Sequence, residues 1–255
     1  MCDSGAVPRA ATLLSRIGRF LTATPMTSSY VVVFTVTTVL QRAMPAAWVD
    51  RVILYSSTNL VQLTHRPVRV LLASAAWIAD RGTGYLFYLG MFLLVVAAAE
   101  RRLGSRRLLA IAVTTHVTAS LIMMLIEAAA IRIGLAPASL ASTSDVGVSY
   151  IMIGGCAAAV VTLSGRRRIG AATVLAAGVA LPVVVSGSLW DIGHLVALGC
   201  AAATTAAVLW NVDRHRLGSP TGTWPNYRPS TAAALGLGQR GDGRLVIIVC
   251  CGQSK

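Results

Sequence analysis

The chain predicts an all-α integral membrane protein built on six membrane-spanning helices, and three observations carry that reading. Its 255 residues are 55% hydrophobic and only 12% charged, with mean hydropathy +0.70, which is too apolar for an ordinary soluble domain. Six charge-free windows approach the length of about 20 residues that crosses a hydrocarbon core of roughly 30 Å. They run from Phe20 to Gln41, Gly82 to Ala99, Leu108 to Ile126, Val146 to Gly165, Ile169 to Trp190 and Ile192 to Val212. The basic residues, finally, are sorted by connection.

With six spans, Arg9, Arg16, Arg19, Arg101, Arg102, Arg106, Arg107, Arg166, Arg167, Arg168 and the tail residues Arg214, Arg216, Arg228, Arg240, Arg244 and Lys255 fall on one side. These are 16 of the 22 Lys and Arg residues. The positive-inside rule makes that side cytoplasmic, so both termini are expected inside and the protein is expected in the plasma membrane. The net charge of +13 does not imply nucleic acid, because no single segment gathers the cations into a phosphate-binding surface.

Residues 1–19 are polar and basic and are expected to anchor the topology from the cytoplasm. The first window is too long for a signal peptide and lacks a small-residue cleavage site, so it is expected to be a retained span. A long outer connection, residues 43–81, follows. It is rich in apolar and aromatic residues, and its charge-free run from Val70 to Ala79 has the length of a re-entrant or interfacial segment. Trp48 and Trp77 are expected near the headgroups.

The second span ends in Glu100-Arg101-Arg102. A carboxylate at that end of a helix opposes the helix dipole, so Glu100 needs a partner, either a nearby arginine or another helix's N-terminus. The third span contains His116 among threonines, expected to be hydrogen-bonded across helices, and Glu127 near its outer end, expected to snorkel toward water. Pro182 is placed to kink the fifth span. Only a few residues separate the fifth from the sixth, which makes them antiparallel neighbours. The 20–212 membrane domain gives way to a tail, 213–255, whose Gly, Pro, Ser, Thr and Arg content is that of a disordered segment. The five cysteines show no metal-ligand spacing, and neither a metal nor a cofactor is expected.

Chemistry, if present, rests on Ser149 and His194. The fourth and sixth spans both run inward from the outer face, with Ser149 and His194 at matching depth below their outer ends. A serine hydroxyl needs a base to become a nucleophile, and a histidine with an ordinary pKa near 6.5 is suited to that at neutral pH. Gly147 precedes the serine. Ala197 and Ala201 follow the histidine at i+3 and i+7, a small-residue face that lets helices approach closely.

These features resemble the rhomboid intramembrane serine proteases and their actinobacterial rhomboid-like relatives, over about residues 28 to 212. The resemblance rests on the long first outer loop, the glutamate ending the second span before Arg101-Arg102-Leu103-Gly104-Ser105, Gly147-Val148-Ser149-Tyr150 on the fourth span and Gly193-His194-Leu195-Val196-Ala197 on the sixth. It implies a rhomboid-like six-helix bundle and a Ser149–His194 dyad that cleaves transmembrane substrates near the membrane surface, with Glu100 in a structural role. Two departures accompany it. The oxyanion-hole His and Asn of the proteases correspond to Gly84 and Tyr88, which leaves the Tyr88 hydroxyl as the candidate donor, and the glycine after the serine is Tyr150. A catalytically silent protein that binds membrane clients is therefore the alternative. A small transporter would need more intramembrane charge than Glu127 and His116 offer, and the chain shows no inverted repeat.

Overall fold

The computed structural model describes residues 9–217, 236–239 and 245–248, which belong to two compact units, Met1–Arg214 and His215–Lys255. The first unit is helical. Helix α1 (Arg9–Ala23) and α2 (Pro25–Ala43) meet at Thr24 with a bend of 103° between them. The bend corrects the first window, which ran straight through this point. Its cause is local: Pro25 occupies the start of α2, where its missing N–H costs nothing, and it pushes the preceding residue out of helical backbone. Phe20 to Ala23 therefore belong to α1 and only α2 remains of the proposed span.

The outer connection folds into four short helices, α3 (Ala46–Ser56), α4 (Leu60–His65), α5 (Pro67–Ser74) and α6 (Ala79–Gly82). Helix α2 holds the end of this connection through side chains that satisfy otherwise free carbonyls. Tyr30 donates to the Ala75 carbonyl (2.5 Å), Thr37 to that of Ala76 (2.6 Å), Gln41 to that of Ile78 (3.0 Å) and Arg42 to that of Gly82 (3.1 Å). Irregular backbone is tolerable in an apolar setting only when its polar groups are met in this way. Trp77 is buried at 8% exposure, while Trp48 is exposed. The α2 contacts hold the Trp77 stretch against the bundle and seat Ile78 against Phe34 and Phe92, so Trp77 packs on protein.

The second window becomes one continuous helical run, α7 (Tyr85–Met91), a π-helical turn (Phe92–Val96) and α8 (Ala97–Leu103). The π turn presents Val96 to α10 (Val148–Val161), where a side chain on Gly155 would approach Val96 to 2.7 Å. Helix α9 (Ser105–Arg132) follows, then a 3-10 turn (Ala138–Ser142), α10, α11 (Gly165–Ser186, containing Pro182) and α12 (Leu189–Leu217). Residues of α9 and the stretch Leu189–Trp210 of α12, together with α11, make three helices long and apolar enough to cross a membrane, and the bent α1–α2 pair makes a fourth if it counts as one span.

Helix α10 is 14 residues, about 21 Å at the helical rise, and most of it is buried by its neighbours. Because protein rather than lipid surrounds it, bilayer thickness does not set its length. By contrast α11 buries only Val179. The chain is an integral membrane protein with an all-helical membrane unit. In the second unit β1 (Gly236–Gln239) and β2 (Leu245–Ile248) pair antiparallel, with Gly236 opposite Ile248, inside the segment whose composition suggested disorder.

Candidate active site

Two clusters of buried side chains define where chemistry could occur. One centres on Phe34, Phe92, Val96 and Leu108. The other brings Met123 of α9, Tyr150 and Ile153 of α10 and Ala197 and Ala201 of α12 together. Ala197 and Ala201 are fully buried, so the small face of α12 lies against the bundle. That contact carries His194, one turn before Ala197, to the same cavity as Ser149.

This cavity has a volume of about 780 Å³, and its walls include Ser149, His194, Tyr88, Trp77, Trp190 and Asp145. Ser149 is the second residue of α10 and is 9% exposed. No hydrogen bond joins its hydroxyl to His194 among the described residues. The Tyr150 ring instead stands edge-on to the His194 ring, with centroids 6.0 Å apart at 87°. Tyr150 is buried, and its hydroxyl occupies the notch left by Gly193, where a Cβ would lie 2.3 Å from it. The bulky neighbour of the serine thus braces the histidine.

Gly147 has an equally specific reason. A Cβ there would lie 2.0 Å from Cε1 of His116. His116 donates from Nε2 to the Leu71 carbonyl of α5 (2.8 Å), and the Gly147 N–H donates to the Ser74 carbonyl (2.9 Å). The expected bond of His116 across helices runs from α9 to α5 of the outer connection, and the ring wedges between that connection and the turn before the serine.

Ser57 and Thr58 extend the same stitching. The Thr58 N–H (3.0 Å) and the Ser57 hydroxyl (2.8 Å) donate to the Asp145 carbonyl, the Asp145 N–H bonds the Ser57 hydroxyl, and the Thr58 hydroxyl donates to the Asp145 carboxylate (3.1 Å). Burial pushes the Asp145 carboxyl up to about 6, against the hydrogen bonds from Thr58 and Val146 that favour its charge. Neither Ser57 nor Thr58 stood out in the sequence. The signal was a polar Ser56-Ser57-Thr58-Asn59 run inside an apolar connection.

Glu100 is 1% exposed. Its carboxylate accepts from the Met26 and Thr27 N–H groups (2.8 Å each) and the Ser105 hydroxyl (2.7 Å). Of the two partners open to it, the helix N-terminus is the one taken, and Arg102 bonds Thr162 instead (2.9 Å). Glu127 is corrected as well: it is buried at 4% exposure with Oε1 unpartnered, because α9 turns it toward Asp145 rather than to water. Among the described residues no group of three His, Cys, Asp or Glu side chains could hold a metal ion, and Cys156 and Cys200 are free thiols. Cys2, Cys250 and Cys251 lie outside the described residues.

No curated protein and no solved structure matches the chain. A family model described as rhomboid-like protein matches residues 19–208, the stretch that holds the outer connection, Glu100, Ser149 and His194. By that match, the chain belongs to the rhomboid-like protein family.

Proposed function

We propose that the protein is an intramembrane serine protease that cleaves peptide bonds in or near transmembrane segments of other membrane proteins, with Ser149 as nucleophile and His194 as general base. The observation that carries this reading is that α10 and α12 each deliver one member of the pair to a single cavity of about 780 Å³. Ser149 lies in the first turn of α10, where backbone N–H groups lack intrahelical acceptors and a developing oxyanion is favoured by the helix dipole. Tyr88 shares the cavity and is the side-chain candidate for a second donor. On this reading the Ser149–His194 hydrogen bond forms as substrate binds, when catalytic contacts tighten. Six membrane crossings, with the arginine-bearing connections and both termini in the cytoplasm of a plasma-membrane protein, complete the reading.

A second reading is favoured by one observation: Gly84 and Tyr88 stand where the proteases carry oxyanion donors. Losing one such donor costs about 100 to 1000-fold in rate. On this reading the cavity binds membrane-protein clients without cleaving them.

Labelling of the purified protein by a fluorophosphonate separates the two. Proteolysis requires that wild type is labelled and that Ser149→Ala and His194→Ala each abolish labelling while the fold is kept. Tyr88→Asn combined with Gly84→His should raise labelling. The two changes belong together, because a Cβ at position 84 would meet the Tyr88 ring at 3.0 Å. Folded wild type and folded double variant that are equally inert refute proteolysis and leave client binding.

A further inference from the structure

At the far end of α10 from Ser149 lies a second groove, of about 400 Å³, between the α7–α8 run, α10 and α11. Its walls are almost wholly apolar, with Leu94, Val95, Cys156, Val160 and Val174 among them, and Arg102 stands at its edge. It exists because α11 buries only Val179 and faces small residues, Ala98 and Ala159, across the gap. An apolar groove open to a bilayer does not hold water favourably, and a hydrocarbon chain fills it without desolvation cost.

Charge at the groove's edge selects the occupant. Arg102 donates from Nη1 to the Thr162 hydroxyl (2.9 Å), which fixes the guanidinium beside the end of α10 while the side chain stays exposed. The nearby carboxylate of Glu100 is committed to the N-terminus of α2 and to Ser105. Arg101 at the end of α8, Arg106 and Arg107 at the start of α9, and Arg166, Arg167 and Arg168 at the start of α11 are also exposed. Guanidinium groups bind phosphate oxygens bidentately, and a basic rim around an intramembrane apolar pocket is the arrangement that suits an anionic headgroup.

We propose that this groove binds an anionic phospholipid, one acyl chain lying between α8, α10 and α11 and the headgroup phosphate held by Arg102. The site joins α11, the least buried helix, to the bundle through a lipid, and it does not depend on Ser149 or His194 being active.

Native mass spectrometry of the full-length protein, released from nanodiscs of equal parts phosphatidylglycerol and phosphatidylcholine, tests this. One phosphatidylglycerol should be retained in preference to phosphatidylcholine. Arg102→Gln should cut that retention about fivefold, with Arg102→Lys in between. Ala159→Leu, which narrows the groove without touching charge, should reduce retention of both lipids. Should Arg102→Gln fail to fold, Arg102→Lys and Ala159→Leu carry the test. Equal retention of the two lipids, or retention unchanged in the variants, overturns the proposal. Displacement of phosphatidylglycerol by millimolar inorganic phosphate would make this a free-phosphate site, and displacement by a hydrophobic transmembrane peptide would make it a protein-docking groove. Either result overturns it.

Discussion

Replacing Glu100 by alanine removes the only side-chain acceptor that the described residues give to the backbone N–H groups at the start of α2. Thr24, at the N-cap, makes no capping bond there, and Pro25 contributes no N–H, so the Met26 and Thr27 donors rely on the carboxylate. Hydrogen bonds to a charged acceptor contribute about 1.5 to 3 kcal/mol each, so losing both comes to about 3 to 6 kcal/mol. For a domain of this size that is a fall of about 6 to 24 °C in melting temperature. Glu100→Gln keeps one carbonyl acceptor and should fall about half as far. The assay is thermal unfolding in detergent, read on the same preparations by fluorophosphonate labelling per folded molecule, which should not change. Arg106→Ala with Arg107→Ala leaves every Glu100 bond in place and should melt near wild type. If the arginine variant loses as much stability as Glu100→Ala, the capping argument is wrong and the carboxylate acts through the arginines.

Gly147→Ala places a Cβ against the buried His116 ring and should cost about 1 to 3 kcal/mol by overpacking, together with loss of Ser149 labelling. Combining it with His116→Ala should give a smaller loss than the sum of the single changes, and additivity would refute the wedge. For Asp145 the sign follows from burial. A folded-state pKa raised from 3.8 to about 6 means that the folded form binds the proton more tightly, so this contribution is present below about pH 4 and is lost as pH rises through 6. Asp145→Asn should therefore stabilise by up to about 3 kcal/mol at pH 8 and by nothing near pH 4. Glu127 and Tyr150 face Asp145 and are unchanged in the variant, and destabilisation by Asp145→Asn at pH 8 would contradict the account. Reporter fusions after Arg102 and Arg168 should both report cytoplasm, and an outside signal from either rejects the six-crossing topology.

The sequence by itself determined the class of the protein, because apolar windows and loop charge are properties of composition that lipid and the translocation machinery read directly. It also singled out His194 and Glu100, since histidines and carboxylates are scarce in so apolar a chain, and Ser149 and the small face of Ala197 and Ala201 by their spacing relative to Gly147 and His194. The family match supports the rhomboid-like assignment over residues 19–208 and does not decide the dyad's activity. Tertiary structure decided what those residues touch. The bend at Thr24 was hidden because hydropathy averages over a proline that is harmless at a helix start. The partner of Glu100, the wedge of His116 on Gly147 and the notch that Gly193 makes for Tyr150 join residues distant in sequence, and a glycine needed for close approach looks the same in sequence as one needed for a turn. Burial of Glu127 and Trp77 was likewise beyond the sequence. A window records how apolar a segment is, while packing of α9, α10 and the outer connection decides which side chains meet lipid and which meet protein.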